Sequence, residues 1–270
     1  LGPGQTKVID FGQNAAAIPL LRIRGASGTK VTVRLGEMLN DGIKGHHGDG
    51  PEGSVYLANM RGAKAGFDYI CNEAGAWGYM PAETFFGYRY ASIVADGAVE
   101  GYIASIPVSS VSRDMERGWV ETGDERVNRL VKNAYWGMLS NYLSVPTDCP
   151  QRTERLGWTG DTQVFAKTGT YFADIGAFME KWMQDVRDSQ RDDGIVPVVA
   201  PLGPFGGDGP NAGWSDAVVM VPYTIWKYLG DEKIVRDNWE AMAKFVAAVE
   251  KNDYTTKREA WLTGDWLSFE

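Results

Sequence analysis

The chain changes its hydrophobic rhythm near residue 120. Before that point apolar positions alternate: in Lys30-Val31-Thr32-Val33-Arg34-Leu35 every second side chain is apolar, the period of a half-buried strand. Residues 20–24 alternate in the same way, and Gly25-Ala26-Ser27-Gly28 between the two segments is hairpin punctuation. Further strands are predicted near 67–71, 85–94 and 99–106, each bounded by glycine or proline. Short strands joined by such turns predict an antiparallel β-sandwich. The stretch 40–53, rich in glycine and aspartate, reads as a mobile surface loop.

Beyond 120 the period becomes helical. Thr122-Gly123-Asp124-Glu125 has the form of a capping box, with Thr122 as N-cap and Glu125 three residues on. Val127, Leu130, Val131, Ala134, Tyr135, Met138, Leu139, Tyr142 and Leu143 then recur at steps of three and one. That spacing predicts an amphipathic helix of about 20 residues. Val164 and Phe165 lead on to Val186 as two helices broken near Gly169 or Gly176. Helical spacing returns at 216–229 and 231–250, and a last segment, 257–270, ends without a capping signal. The Gly/Pro-rich stretch 194–215 is a long loop, and long loops inside compact domains are usually functional or disordered. Strands followed by helices predict separate domains: a β-sandwich over 1–115 and a helical domain over 116–270, with the junction near 113–118.

One stretch interrupts the helical half. In residues 145–161, Pro146 and Pro150 exclude a helix interior, and Gly157 and Gly160 suit a turn into the next helix. Asp148, Glu154, Asp161, Arg152, Arg155 and Trp158 lie in this one loop. Asp161 is placed to cap the following helix, because a carboxylate accepts from the free N–H groups of a first turn. Carboxyl groups held close together disfavour a second ionisation, and a protonated one is what a departing glycosidic oxygen needs. Arg152 and Arg155 oppose that, so residue types leave two readings: an acid site, or acids that pair with the arginines and cap helices. Trp158 is either a core anchor or a ring facing a sugar. The same pair of readings holds for Trp214, in Ala212-Gly213-Trp214-Ser215-Asp216, where Asp216 reads as an N-cap. Asp265, before Trp266, resembles a further site acid on too little context to use.

Composition narrows the choice. A net charge of −8 and a pI of about 5.0, with no basic cluster, exclude a partner bound through a phosphate backbone. No apolar run approaches the ~20 residues of a membrane span. No leader pattern opens the chain, and Leu1 in place of methionine reads as processing or excision from something longer. The compartment, whether cytoplasm, periplasm or exterior, is left open. Ten tryptophans, twelve tyrosines and ten phenylalanines fit a well-filled core or a sugar-stacking site. Cys71 and Cys149 form no disulfide framework or metal spacing. His46 and His47, the only histidines, read as a solvated loop pair that would need further ligands to hold a metal. No metal and no cofactor are therefore expected, and no nucleophile system built on histidine.

The segment Asp148-Cys149-Pro150-Gln151-Arg152-Thr153-Glu154-Arg155-Leu156-Gly157-Trp158-Thr159-Gly160-Asp161 closely resembles the signature of bacterial α-L-rhamnosidases of glycoside hydrolase family 78. Asp10-Phe11-Gly12-Gln13-Asn14, Gly28-Thr29-Lys30-Val31-Thr32 and Phe86-Gly87-Tyr88-Arg89-Tyr90 resemble that family's β-sandwich. Asp193-Gly194-Ile195-Val196-Pro197 and Gly213-Trp214-Ser215-Asp216-Ala217 resemble its helical barrel. The resemblance implies an antiparallel β-sandwich followed by part of an (α/α)6 barrel, and inverting hydrolysis of terminal α-L-rhamnosides without a catalytic metal. It implies Glu154 as general acid. Asp148, Arg152, Trp158 and Asp161 become contacts to the rhamnose ring of a glycoside or polysaccharide, and Trp214 a hydrophobic wall. Thr153 departs from the family, which usually has aspartate there. The family's general base lies in the later half of the barrel, so this chain reads as a fragment or truncated product, with Glu259 and Glu270 as weak substitutes. Open helix faces then imply either a homo-oligomer or a missing C-terminal portion. The alternatives to an enzyme are a non-catalytic rhamnose-binding fragment and an assembly module.

Overall fold

Five strands account for the first hundred residues: β1 (Thr6–Gly25), β2 (Lys30–Gly36), β3 (Gly66–Ile70), β4 (Phe86–Ala95) and β5 (Val99–Pro107). They form one antiparallel sheet in the order β3-β2-β4-β1-β5. The computed structural model describes residues 1–44, 46–72, 78–203 and 211–252. Alternation does in the fold what it promised in the sequence. Val31, Val33 and Leu35 of β2 and Ala91, Ile93 and Ala95 of β4 are buried with Leu21, Ile23 and Tyr88 in one cluster, while Lys30 and Arg34 stay exposed.

β1 begins far earlier than the alternation at 20–24 suggested. Its pairing with β4 runs from Thr6↔Val94 to Asp10↔Tyr90 and then jumps to Ala15↔Tyr88, a bulge in which β1 advances farther than its partner. Gly12 supplies the left-handed backbone there, at φ +80°, and its N–H donates to Asp10 Oδ1 at 2.7 Å. Pro19 is tolerated in this inner strand for a local reason. Leu21 exchanges both backbone bonds with Tyr79, so the N–H of residue 19 would point to that same side, beyond the last β4 pair at Ala17↔Phe86. The missing donor costs no ladder bond.

The chain divides into two units. The first comprises Leu1–Ser109, Leu139–Asn141 and Cys149–Arg155; the second comprises Ser110–Met138, Tyr142–Asp148 and the described part of Leu156–Glu270. The second is helical: α1 (Glu125–Asn141), α2 (Thr159–Phe172), α3 (Gly176–Asp188), α4 (Ala217–Leu229) and α5 (Glu232–Asn252). Helix α2 packs on α4, α4 on α5, and α3 touches both α4 and α5. Ile175, Met179, Trp182, Met183, Val218, Val221, Ile225 and Ile234 are buried among them. No described helix is long and apolar enough to cross a membrane.

Several boundaries differ from expectation. The N-cap of α1 is Asp124, whose carboxylate accepts from the Arg126 N–H at 2.9 Å; Thr122 instead meets the Asn128 side chain. Aspartate at the cap is as good an acceptor as threonine and lies closer to the helix. The helix stops at Asn141, because Tyr142 and Leu143 turn into a two-residue ladder, β6 (Tyr142–Leu143) with β7 (Val145–Pro146). The break between the next two helices falls at 173–175, between the two glycines proposed for it. The segment 257–270, with Glu259, Asp265 and Glu270, lies outside the described residues.

Candidate active site

The residues singled out from the signature fall into two groups, one in each unit. Cys149–Arg155 belongs with the sheet. Within it, Arg152 grips Glu154: Nε and Nη2 each lie 3.0 Å from Oε2, and both side chains are one-quarter exposed. Arg61, from the sheet unit, approaches the same oxygen at 3.9 Å. Arg61 has φ +49° and precedes Gly62 at φ +82°, so a left-handed turn aims it. Glu37, in the same unit, is near enough to feel the charge of Arg152. Burial pushes its carboxyl above the ordinary value, opposed by the Asn14 amide, which donates at 2.9 Å, and by the positive charge of Arg152.

Among the described residues Arg155 does not pair with a carboxylate, contrary to the reading in which both arginines neutralise the loop's acids. It is itself left-handed, at φ +49°, and its Nη2 donates to the Phe85 carbonyl at 3.0 Å. The guanidinium lies 4.1 Å from the centre of the Phe85 ring, a cation–π contact. Gly87 of β4 lets the loop come this close: a β-carbon there would stand 2.7 Å from the Gln151 nitrogen and 2.8 Å from its Cα.

The second group lies in the helical unit. Asp148 and Leu156 close on each other, the Asp148 N–H donating to the Leu156 carbonyl at 3.0 Å and the Leu156 N–H to Asp148 Oδ1 at 2.8 Å. The chain then pairs with residues 198–200. Ala200 N–H donates to the Gly157 carbonyl, Trp158 bridges Val199, and both the N–H and the hydroxyl of Thr159 donate to the Val198 carbonyl. The fully buried Trp182 donates to the Ala200 carbonyl at 2.9 Å. Trp158 is thus fixed through its backbone and is half-buried.

That pairing also starts α2 earlier than expected. The N-cap position is Trp158, with no side-chain cap, and Asp161 sits exposed in the first turn, where a negative charge suits the helix dipole. Asp161 is therefore not the cap. Trp214 lies against this turn: a β-carbon on Gly160 would come within 2.8–2.9 Å of three of its ring atoms, so only glycine leaves room. Gln163 donates to the Gly213 carbonyl at 3.0 Å, and the buried Ser215 hydroxyl donates to the Val196 carbonyl at 2.7 Å. Asp216 occupies the N-cap position of α4, yet its carboxylate reaches back to accept from Gly213 N–H at 2.7 Å. The structure brings Trp214 and the Gly160–Asp161 turn together in one unit, and Arg152, Arg61 and Glu154 in the other. Arg61 and Glu37 are the members that sequence reading missed; Arg61-Gly62 signalled a turn and nothing more.

Residues 115–270 match the model described as the bacterial alpha-L-rhamnosidase 6 hairpin glycosidase domain, and residues 2–106 match the bacterial alpha-L-rhamnosidase concanavalin-like domain. An alpha-L-rhamnosidase of Streptomyces avermitilis is 37% identical over 267 residues, covering 97% of this chain and 24% of that protein. One of Formosa agariphila is 34% identical over 270 residues, covering 96% and 27%. The structure of alpha-L-rhamnosidase from Dictyoglumus thermophilum superposes with a TM-score of 0.81 at 30% identity, over 91% of this chain and 27% of that one. The Streptomyces avermitilis enzyme complexed with L-rhamnose gives 0.79 at 36% identity, over 91% and 23%. The chain spans about a quarter of the length of the relatives it matches.

Proposed function

Because the chain belongs to the bacterial α-L-rhamnosidase family, we propose that it is part of a glycoside hydrolase that removes terminal α-L-rhamnose with inversion, Glu154 acting as general acid. The observation that supports this reading is the placement of Glu154, one-quarter exposed and held in direction by two nitrogens of Arg152, a contact that must loosen for Glu154 to carry a proton. A side chain that must deliver a proton to one oxygen has to be aimed before substrate arrives. Asp148, Arg152 and Asp161 bind hydroxyl groups of the sugar on this reading, while Trp158 and Trp214 offer flat apolar faces. Inversion further requires a carboxylate ~6.5–9.5 Å from the acid to activate water on the opposite face of the ring. No residue of this chain is assigned that role, and we place it in the length of such enzymes that this chain does not span.

The test is hydrolysis of an α-L-rhamnoside by an enzyme in which this chain is joined to the length that carries the base, with and without Glu154→Gln. An alkyl rhamnoside should lose about 10²–10⁴-fold, the usual worth of a positioned acid. A p-nitrophenyl rhamnoside should lose less, since its phenolate leaves with little protonation. Equal rates on both substrates remove Glu154 from the mechanism. A second reading draws on the same ion pair, which would serve equally as a clamp in a rhamnose-binding module. It predicts calorimetric binding of rhamnose by this chain that weakens in Trp158→Ala, with no hydrolysis even when the length that carries the base is supplied.

A further inference from the structure

We propose that Asp41, His46 and His47 form a binding site for a borderline divalent transition metal such as Zn²⁺. The pair His46-His47 lacked a partner in the sequence; the fold supplies one. Ligand-type atoms of the three residues lie within 4.8 Å of one another. Both imidazoles turn Nδ1 toward the same oxygen: His46 Nδ1 is hydrogen-bonded to Asp41 Oδ2, and His47 Nδ1 lies 3.7 Å from it. The two rings lie side by side, with centroids 4.1 Å apart.

The frame behind these ligands is built. Asn40, buried beside Asp41, donates to Ser54 Oγ at 2.9 Å and to the Val55 carbonyl at 3.2 Å, and accepts from the Asp49 N–H at 2.8 Å. Asp41 is oriented by its second oxygen, Oδ1, which accepts from the Ile43 N–H at 2.8 Å. Such a bond fixes a ligating carboxylate from behind. The His46 N–H donates to the Ile43 carbonyl at 3.1 Å, and Asp41 N–H to the His47 carbonyl at 3.2 Å, so the two ends of the turn face each other. Gly48 permits the closure, since a β-carbon there would meet the Ile43 carbonyl oxygen at 2.5 Å.

Tetrahedral zinc with bonds of ~2.0 Å separates neighbouring ligand atoms by about 3.3 Å. His47 and Asp41 are close to that separation already. His46 and Asp41 must part slightly as the ion replaces their hydrogen bond, and His46, at 64% side-chain exposure, is able to move. Two imidazoles and one carboxylate suit zinc, cobalt, nickel or copper, not calcium or magnesium, which want oxygen alone. Three protein ligands leave the fourth position to water. The ion would staple the loop and takes no part in the hydrolysis proposed above, so the two readings stand or fall separately.

The full chain, free of any affinity tag and stripped with chelator, is titrated with ZnSO4 by calorimetry, and Co²⁺ binding is followed by its visible absorption. One ion per chain is expected, with tetrahedral cobalt bands and no thiolate charge-transfer band. His46→Gln, His47→Gln and Asp41→Asn should each weaken binding at least about tenfold. Circular dichroism should stay unchanged, as none of the three substituted side chains belongs to the buried core. Absence of saturable binding below millimolar zinc would overturn the proposal. So would unaltered affinity in the His46→Gln/His47→Gln double variant, a thiolate band, or calcium competing as well as zinc.

Discussion

The loop Cys149–Arg155 and the stretch 157–159 that follows it are held by different forces. The loop is held by side chains: Arg152 on Glu154, Arg155 on the Phe85 carbonyl and ring. The stretch 157–159 is held by its backbone, paired to residues 198–200 and locked by the indole of Trp182. Side-chain pairs between charged groups can be rearranged by a ligand, by salt or by a substitution. A backbone ladder with a buried donor cannot, short of local unfolding. The proposed acid thus lies on the adjustable segment and Trp158 on the rigid one.

The sharpest way to break that contrast is Gly157→Ala. The new methyl would stand 2.1 Å from the Ala200 carbonyl oxygen and 3.2 Å from the buried indole nitrogen of Trp182. Neither neighbour is the far end of a flexible side chain, so the ladder must part. We expect a loss of about 3 kcal/mol in urea unfolding followed by tryptophan fluorescence. A loss under about 1 kcal/mol would mean that the ladder is softer than its contacts imply.

Gly87→Ala puts the same question to the adjustable side. Its β-carbon would meet the Gln151 backbone at 2.7–2.8 Å, but Gln151 sits on a loop that side-chain contacts hold. About 2 kcal/mol is the expected loss, smaller than for Gly157→Ala because the loop moves first. If the order of the two variants were reversed, the contrast would fail. Arg155→Met should cost less again, about 1–2 kcal/mol, from the lost bond to the Phe85 carbonyl and the lost charge over its ring. The same unfolding assay reads it, and methionine keeps most of the buried stem.

How much of this was legible in the sequence follows the same division. Alternation in β2 and β4 and the helical spacing after 120 announced the architecture, because burial on one face is written into local periodicity. The first half of β1 was not announced, because the bulge at Asp10–Ala15 shifts the faces and Pro19 argues against an inner strand. Within the signature, Glu154, Arg152, Arg155 and Trp158 stood out by residue type. Their partners did not: the Phe85 carbonyl that Arg155 finds is 70 residues away, and Arg61 is farther still. Helix starts slipped at Thr122 and Asp161 for a related reason. Caps compete with neighbouring acceptors and with backbone pairing, and that competition is decided in three dimensions.

The smallest expected effect comes from an ion pair outside the loop, and it calibrates what exposed charge alone achieves. Asp10 accepts two bonds from Arg89, at 2.8 and 2.7 Å, at the edge of the β1 bulge. The Arg89 guanidinium, and after it the Gly12 N–H, hold its carboxyl below the ordinary 3.8. A carboxyl lowered in the folded state stabilises the fold above its unfolded value, and that contribution fades as pH falls through the folded value. The unaltered chain and Asp10→Asn should therefore differ at pH 7 and converge only as pH falls below the lowered folded value, where the native carboxyl is itself protonated. Because the Asp10 side chain is 44% exposed, screening keeps the difference under about 0.5 kcal/mol, and 0.5 M salt should shrink it further. Parallel stability profiles from pH 7 to below the folded value would mean that the pair contributes nothing, leaving Gly12 and the bulge geometry to set the register of β1.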